Sequence, residues 1–311
     1  MKKRVVITGL GPITPIGIGK NAYWDALTSG KSGARNIHFE GWDMDQYSCR
    51  VACPIEAFSL SDYLHQNKEF RYLGRTSQFA MAATRLALED AGFSLGDVEL
   101  EKGRHSYVVE ETDPERIGCI LGIGAQNMDL CEKWHRQLLK HNGPKRVSPF
   151  ALPHVQICSV PVNVMMAFGI KGIGCSVSTA CASANHATIE AYKQILLGKE
   201  KIMVTGGADA CITPFVFGGF VSMNAMSKRN DDPERASRPF DRDRDGFVMG
   251  EGAGIMVLEA LDHALERGAH IYCEMSGFGA TSDAYHIAAP DPEPDMQALA
   301  MKEAMKRAGA A

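Results

Sequence analysis

The 311-residue sequence has no apolar run close to the ~20 residues that a membrane span needs. It has no large excess of either charge. Lys and Arg number 33 against 37 Asp and Glu, a net charge of −4. No basic run interleaved with aromatics occurs, so nothing in it points to nucleic acid. Low-complexity tracts and short-period repeats are missing, which argues against a linker, a disordered tail or a solenoid. The nine cysteines are odd in number and scattered. That pattern excludes a regular disulfide framework and fits free thiols in a reducing cytoplasm. The start is positively charged, but the apolar stretch after it is short and broken by Gly and Pro. Arg4–Thr8 therefore reads as a buried strand, not a secretion signal.

Three partial signatures lack what would complete them. Cys131, His135 and His141 have the spacing of half a zinc site, but no second pair stands at a matching distance. Asp241 to Gly246 copies the opening of a calcium loop, yet position 12 is Gly252, where a bidentate Glu is required. Gly9-x-Gly11 after a strand lacks the third glycine and the distant acidic residue of a dinucleotide site.

What is there is alternation. Apolar β-type runs are expected at Val5–Thr8, Ile117–Leu121, Ser176–Ser178, Ile202–Thr205, Gly254–Leu258 and Ile271–Ser276. Helices are expected at Asn21–Thr28, Thr76–Ala91, Met128–Lys140, Ser183–Leu197, Leu261–Arg267 and Met296–Ala308. Gly92, Gly198 and Gly309 each follow a helical run and suit its left-handed exit. Asp97–Arg116 is polar and reads as a surface excursion. The whole is an α/β pattern of helices covering a mixed sheet. After the last helix that pattern calls for another strand, and none follows Ala311.

The strongest local signal is the run from Gly174 to His186, GCSVSTACASANH. A β-type stretch enters Cys181 and an Ala- and Ser-rich helix leaves it. A thiol at that junction faces the unsatisfied N–H groups and the positive end of the helix dipole. Such surroundings favour the thiolate that attacks carbonyl carbon, and the same N–H groups can polarise a thioester. Small residues at Ala180, Ala182 and Ala184 leave room for a substrate.

STACAS around Cys181 resembles the active-site motif of the β-ketoacyl-acyl-carrier-protein synthases, especially the elongating type II enzymes. The resemblance extends over RVVITGLGPITPIG at 4–17, GPKRVSPFALP at 143–153, GGADACITPFVFGGF at 206–220, SKRNDDPERASRPFDRDRDGFVMGEGAG at 227–254 and GFGATSDAYH at 277–286. It implies a thiolase-like fold of α-β-α-β-α layers built from two related halves. Residues 1–270 would be the first half, complete, and 271–311 the truncated start of the second. It implies that Cys181 takes an acyl chain from phosphopantetheine and passes it to a decarboxylated malonyl unit. No cofactor of the enzyme's own is implied, because phosphopantetheine arrives on the acyl carrier protein. The family's two active-site histidines, and a glycine-rich gate, would fall beyond residue 311, so the chain alone is expected to be acylated but not to condense. His186 and His286 do not replace those histidines. The resemblance further places Ala125, Leu152 and Phe220 on the acyl wall, and Lys68, Arg71, Arg75, Lys145 and Arg146 where the carrier protein binds. It implies a cytoplasmic homodimer. The alternatives are a non-catalytic chain-length-factor-like partner, against which Cys181 argues, and a coenzyme A-dependent thiolase, whose motifs differ.

Overall fold

Strict alternation along Ile117–Gly122 decides how the chain layers. Ile117, Cys119 and Leu121 point to one apolar cluster, and Ile120 points to another on the opposite side. The same division runs through Ile202 and Val204 against Met203, and through Ile255 and Val257 against Leu258 and Ala260. A strand buried on both faces needs a covering layer on each. In the computed structural model, which describes residues 3–65, 68–101, 104–110 and 112–310, helices supply both layers. Arg75–Asp90 and Ser159–Phe168 cover one face, and Ser183–Leu196 covers the other.

The main sheet runs in the order Cys273–Glu274, Val5–Thr14, Gly252–Ala260, Ile202–Asp209, Ile117–Gly122, Gly174–Val177. The last three strands are parallel to one another. Gly252–Ala260 is antiparallel to both of its neighbours. The sheet is therefore mixed, as the α/β reading expects. The parallel trio ends its strands on one side, where ligands of open α/β sheets bind.

Helix Arg75–Asp90 lies unusually close to the first strand. A methyl on Gly11 would stand 1.9 Å from the Ala83 carbonyl oxygen. The glycines of that strand and the alanines of the helix are thus there for backbone contact. Helix exits occur at Gly92, Gly198 and Gly309 with φ of 79°, 71° and 72°, as expected.

Three expectations change. Asp97–Arg116 is not simply a surface excursion. Leu95–Leu100 and Arg104–Val109 form an antiparallel hairpin whose Tyr107 and Val109 are buried. Its polar face hid the alternation. The strand at Ile271–Ser276 shrinks to Cys273–Glu274. Helices Ala151–Val155, Ser159–Phe168 and Pro214–Ser222 were not anticipated, because each is short or carries Pro or Gly inside an apolar run.

Candidate active site

Strand Gly174–Val177 leads to Cys181 and helix Ser183–Leu196 leaves it. Between them the backbone makes a sharp elbow. Ala180 adopts φ 49°, a left-handed conformation that costs a non-glycine residue of order 1 kcal/mol or more. The elbow is held from several sides. Ala182 N–H donates to Thr179 O and Ser183 N–H to Ala180 O, both at 3.1 Å. The buried Ser183 hydroxyl donates to Ala180 O at 2.6 Å and accepts from Thr179 N–H at 2.9 Å. Those bonds use amides on either side of Cys181. The Cys181 N–H has no hydrogen bond among the described residues, and it is free to meet a carbonyl oxygen.

Cys181 is exposed and opens into a cavity of about 520 Å³. Gly122, Ala180, Ser183, Ala184, Asp209 and Glu251 share its walls. A methyl on Gly122 would fall 2.2 Å from the Ala184 amide nitrogen, so the strand end carrying Gly122 is pressed against the first turn of helix Ser183–Leu196.

Two carboxylates border this cavity, and sequence reasoning assigned neither a role. Glu251 is buried. It accepts from Arg75 Nε at 2.9 Å and Nη2 at 2.7 Å, and from Ile55 N–H at 2.8 Å. Asp209 ends strand Ile202–Asp209 and accepts Gly124 N–H at 3.0 Å and Ala125 N–H at 2.8 Å, one on each oxygen. Burial raises the Asp209 carboxyl above its ordinary range, and these two amides pull it partly back. Nearby, burial and then the Asp209 charge push the Cys211 thiol up to about 11. Asp209 and Glu251 stood inside the GGADA and GEGAG blocks, but only their position in the cavity reveals them.

The predicted site residues separate into groups. Ala125, Leu152 and Phe220 line neither this cavity nor a more apolar one of about 440 Å³ bounded by Phe70, Met81, Tyr107, Phe150 and Val162. Ala125 lies on the turn that Asp209 grips. Leu152 is 69% exposed, and Phe220 packs edge-on to Phe247 at 5.2 Å. The second cavity shares no lining residue with the one that holds the Cys181 thiol.

Lys68 and Arg71 are exposed on one short turn and Lys145 and Arg146 on another. The Tyr72 and Phe150 rings, 4.8 Å apart, bring the two turns together. Arg75 does not belong with them. Its guanidinium turns inward to Glu251 and the Ile55 carbonyl and stacks over Phe79. A charge so engaged is not offered to a partner.

Two histidines make local hydrogen bonds. His186 Nδ1 lies 2.8 Å from the Thr179 hydroxyl, across the elbow. His286 accepts two backbone N–H groups in its own turn. Among the described residues no histidine lines the Cys181 cavity, and none of their His, Cys, Asp and Glu side chains forms a metal-holding group. Among the described residues no helix is long and apolar enough to cross a membrane.

Residues 2–264 match the family model of the β-ketoacyl synthase N-terminal domain. The chain is 40% identical over 308 residues to 3-oxoacyl-[acyl-carrier-protein] synthase 2 of Vibrio cholerae, covering 99% of the chain and 70% of that protein. The enzyme of the same name from Synechocystis is 39% identical with the same coverage. Among solved structures, a β-ketoacyl synthase from Burkholderia phymatum superposes with a TM-score of 0.83 at 33% identity, over 99% of this chain and 71% of that one. A type II polyketide ketosynthase in complex with its acyl-carrier protein gives a TM-score of 0.84 at 27% identity, over 100% and 71%. A strained elbow that presents a cysteine from the carboxyl end of a mixed sheet is thus found with sequence likeness along almost its whole length, and the chain belongs to the β-ketoacyl synthase family.

Proposed function

We propose that this protein is a 3-oxoacyl-[acyl-carrier-protein] synthase in which Cys181 is the acyl acceptor, serving fatty acid synthesis or a related polyketide or polyene pathway. The carrying observation is the elbow: Ala180 held left-handed, Cys181 exposed into a cavity, and its N–H unspent.

In the transfer step the Cys181 sulfur attacks the thioester carbonyl of an acylated phosphopantetheine. A sulfur–carbon bond forms, the pantetheine sulfur leaves with the electron pair of the bond that breaks, and it takes up a proton. The developing oxyanion is met by the Cys181 N–H at the positive end of helix Ser183–Leu196. In the condensation step malonyl-carrier protein loses carbon dioxide. The resulting carbanion attacks the acyl carbonyl, and Cys181 leaves as thiolate. Splitting the reaction in two is covalent catalysis. The described residues around Cys181 equip the first step. They offer no histidine for the second.

The acyl carrier protein is the proposed partner, docking on the exposed Lys68, Arg71, Lys145 and Arg146. Such rim charges chiefly raise the rate of encounter with an acidic partner. A homodimer is proposed through Gly174–Val177, an edge strand with exposed Gly174 and Cys175. An open edge of this kind is a template for pairing. The nine free thiols suit a cytoplasmic setting.

The test is substrate preference. The same acyl group offered on carrier protein and on coenzyme A should acylate the protein faster from the carrier. Equal or faster transfer from coenzyme A contradicts the carrier-protein assignment and favours a thiolase. No acylation from either favours a non-catalytic partner.

A further inference from the structure

We propose that the cavity of about 440 Å³ between the hairpin of Leu95–Leu100 and Arg104–Val109 and helix Ser159–Phe168 is a second ligand site, which takes one uncharged aliphatic molecule through a head that donates a hydrogen bond. It shares no lining residue with the Cys181 cavity, so the inference goes beyond the acyl-transfer reading and does not depend on it.

Three elements pack around this space and leave it open. The hairpin contributes Leu100 and Tyr107, helix Arg75–Asp90 contributes Met81, and helix Ser159–Phe168 contributes Val162 and Met166. Protein interiors hold few voids larger than a water molecule. This one has a volume within the ~300–1,000 Å³ of small-molecule sites. Water held loosely against so apolar a wall is displaced with a gain in affinity.

One buried group breaks the apolar wall. Asn163 is 8% exposed and donates through Nδ2 to the Ser77 hydroxyl at 3.3 Å. Its Oδ1 accepts no hydrogen bond among the described residues and is not sealed off from accessible space, so it opens on the cavity that Asn163 lines. A buried amide oxygen in that state is costly unless something donates to it. The charges of the wall call for no ionic head. Arg104 faces Glu69 at 3.9 Å, and His65 and His105 share the Asp97 carboxylate at 2.8 and 3.1 Å. Burial lowers the His154 imidazole, with the Glu69 charge opposing it, so that ring is neutral at neutral pH. A chain laid on the apolar wall with a hydroxyl or amide on Asn163 satisfies both parts of this surface. A carboxylate there would set acceptor against acceptor.

The experiment titrates the chain by calorimetry with octanol, its methyl ether and octanoate. One equivalent of octanol should bind. The ether, which cannot donate, should bind about two- to ten-fold more weakly, and octanoate more weakly still. Asn163→Leu should bind octanol and the ether alike. Val162 and Met166 are 47% and 52% exposed, so a larger side chain at either position can fill the cavity while the core stays as it is. Val162→Trp and Met166→Trp should each weaken octanol binding about ten-fold or more. The ether and these two variants keep the test independent of whether Asn163→Leu folds. Alkylation of Cys181 with iodoacetamide should leave the affinity unchanged. Absence of saturable octanol binding to the wild-type chain, equal or tighter binding of the ether or of octanoate, unchanged affinity in both tryptophan variants, or loss of binding on Cys181 alkylation overturns the inference.

Discussion

Gly122→Ala probes the contact that seats the proposed nucleophile, Cys181. The added methyl would stand 2.2 Å from both the Ala184 nitrogen and the Ser183 carbonyl carbon, and 2.4 Å from the Ser183 carbonyl oxygen. Ordinary contact between such atoms is about 3.5 Å, so a gap of more than about 1 Å must open. Neither side yields cheaply, because all three atoms are helix backbone and Gly122 is paired on both flanks, to Val177 and Gly207. The helix start must retreat, and Cys181 and its N–H move with it. Overpacking of this kind costs roughly 1–3 kcal/mol of stability, and displacing a reacting group by about 1 Å costs about 100-fold in rate. The assay is the rate of Cys181 acylation by a carrier-protein thioester, read by intact mass, beside a thermal melt. We expect a loss near 100-fold in a protein that still melts cooperatively. A Gly122→Ala chain that acylates at the wild-type rate refutes the claim that the Gly122–Ala184 contact positions the nucleophile.

Three further outcomes follow. Gly219 lies inside helix Pro214–Ser222 and a methyl there would meet nothing within 4 Å, so Gly219→Ala should stabilise the fold by about 0.5–1 kcal/mol in urea unfolding, and destabilisation would contradict the open surroundings. Glu259 is raised by burial, but hydrogen bonds from Arg267 and His263 and the Arg267 charge outweigh that and hold its carboxyl down to about 2, from an ordinary 4.5. A carboxyl lowered on folding contributes stability in full above 4.5 and loses it as pH falls toward 2. Glu259→Gln should cost about 3–5 kcal/mol at neutral pH and should remove part of the acid sensitivity between those limits, whereas an unaltered pH profile would show that the pair does not carry it. Finally, iodoacetamide at neutral pH should label Cys181 and spare buried Cys119 and half-buried Cys211, whose thiols burial pushes up, Cys211 to about 11; labelling of Cys119 at a rate matching Cys181 would contradict the burial.

Most of the sheet was legible because its strands are buried on both faces and read as unbroken apolar runs. Ile117–Gly122 and the start of Ile202–Asp209 are of this kind. The hairpin Leu95–Val109 was not, because its polar residues outnumber the alternating Tyr107 and Val109 that hold it to the body. Helix Ser159–Phe168 was hidden by Pro161, which a first helical turn tolerates. Cys181 was legible as a strand–thiol–helix junction. Its surroundings were not, since Asp209, at the end of one strand, and Glu251, just before another, lie about 30 and 70 residues further along the sequence. Arg75 could not be told from its basic neighbours by sequence, because its inward turn depends on a carboxylate 176 positions away.

The most direct test of the account places the acyl group on one sulfur. After incubation with acyl-carrier-protein thioester, tryptic digestion should release residues 172–193 as one peptide carrying both Cys175 and Cys181, and fragmentation of it assigns the adduct. The account predicts the acyl mass on Cys181, none on Cys175, and none anywhere in a Cys181→Ala chain. An adduct on Cys175, or one that survives in Cys181→Ala, would contradict it.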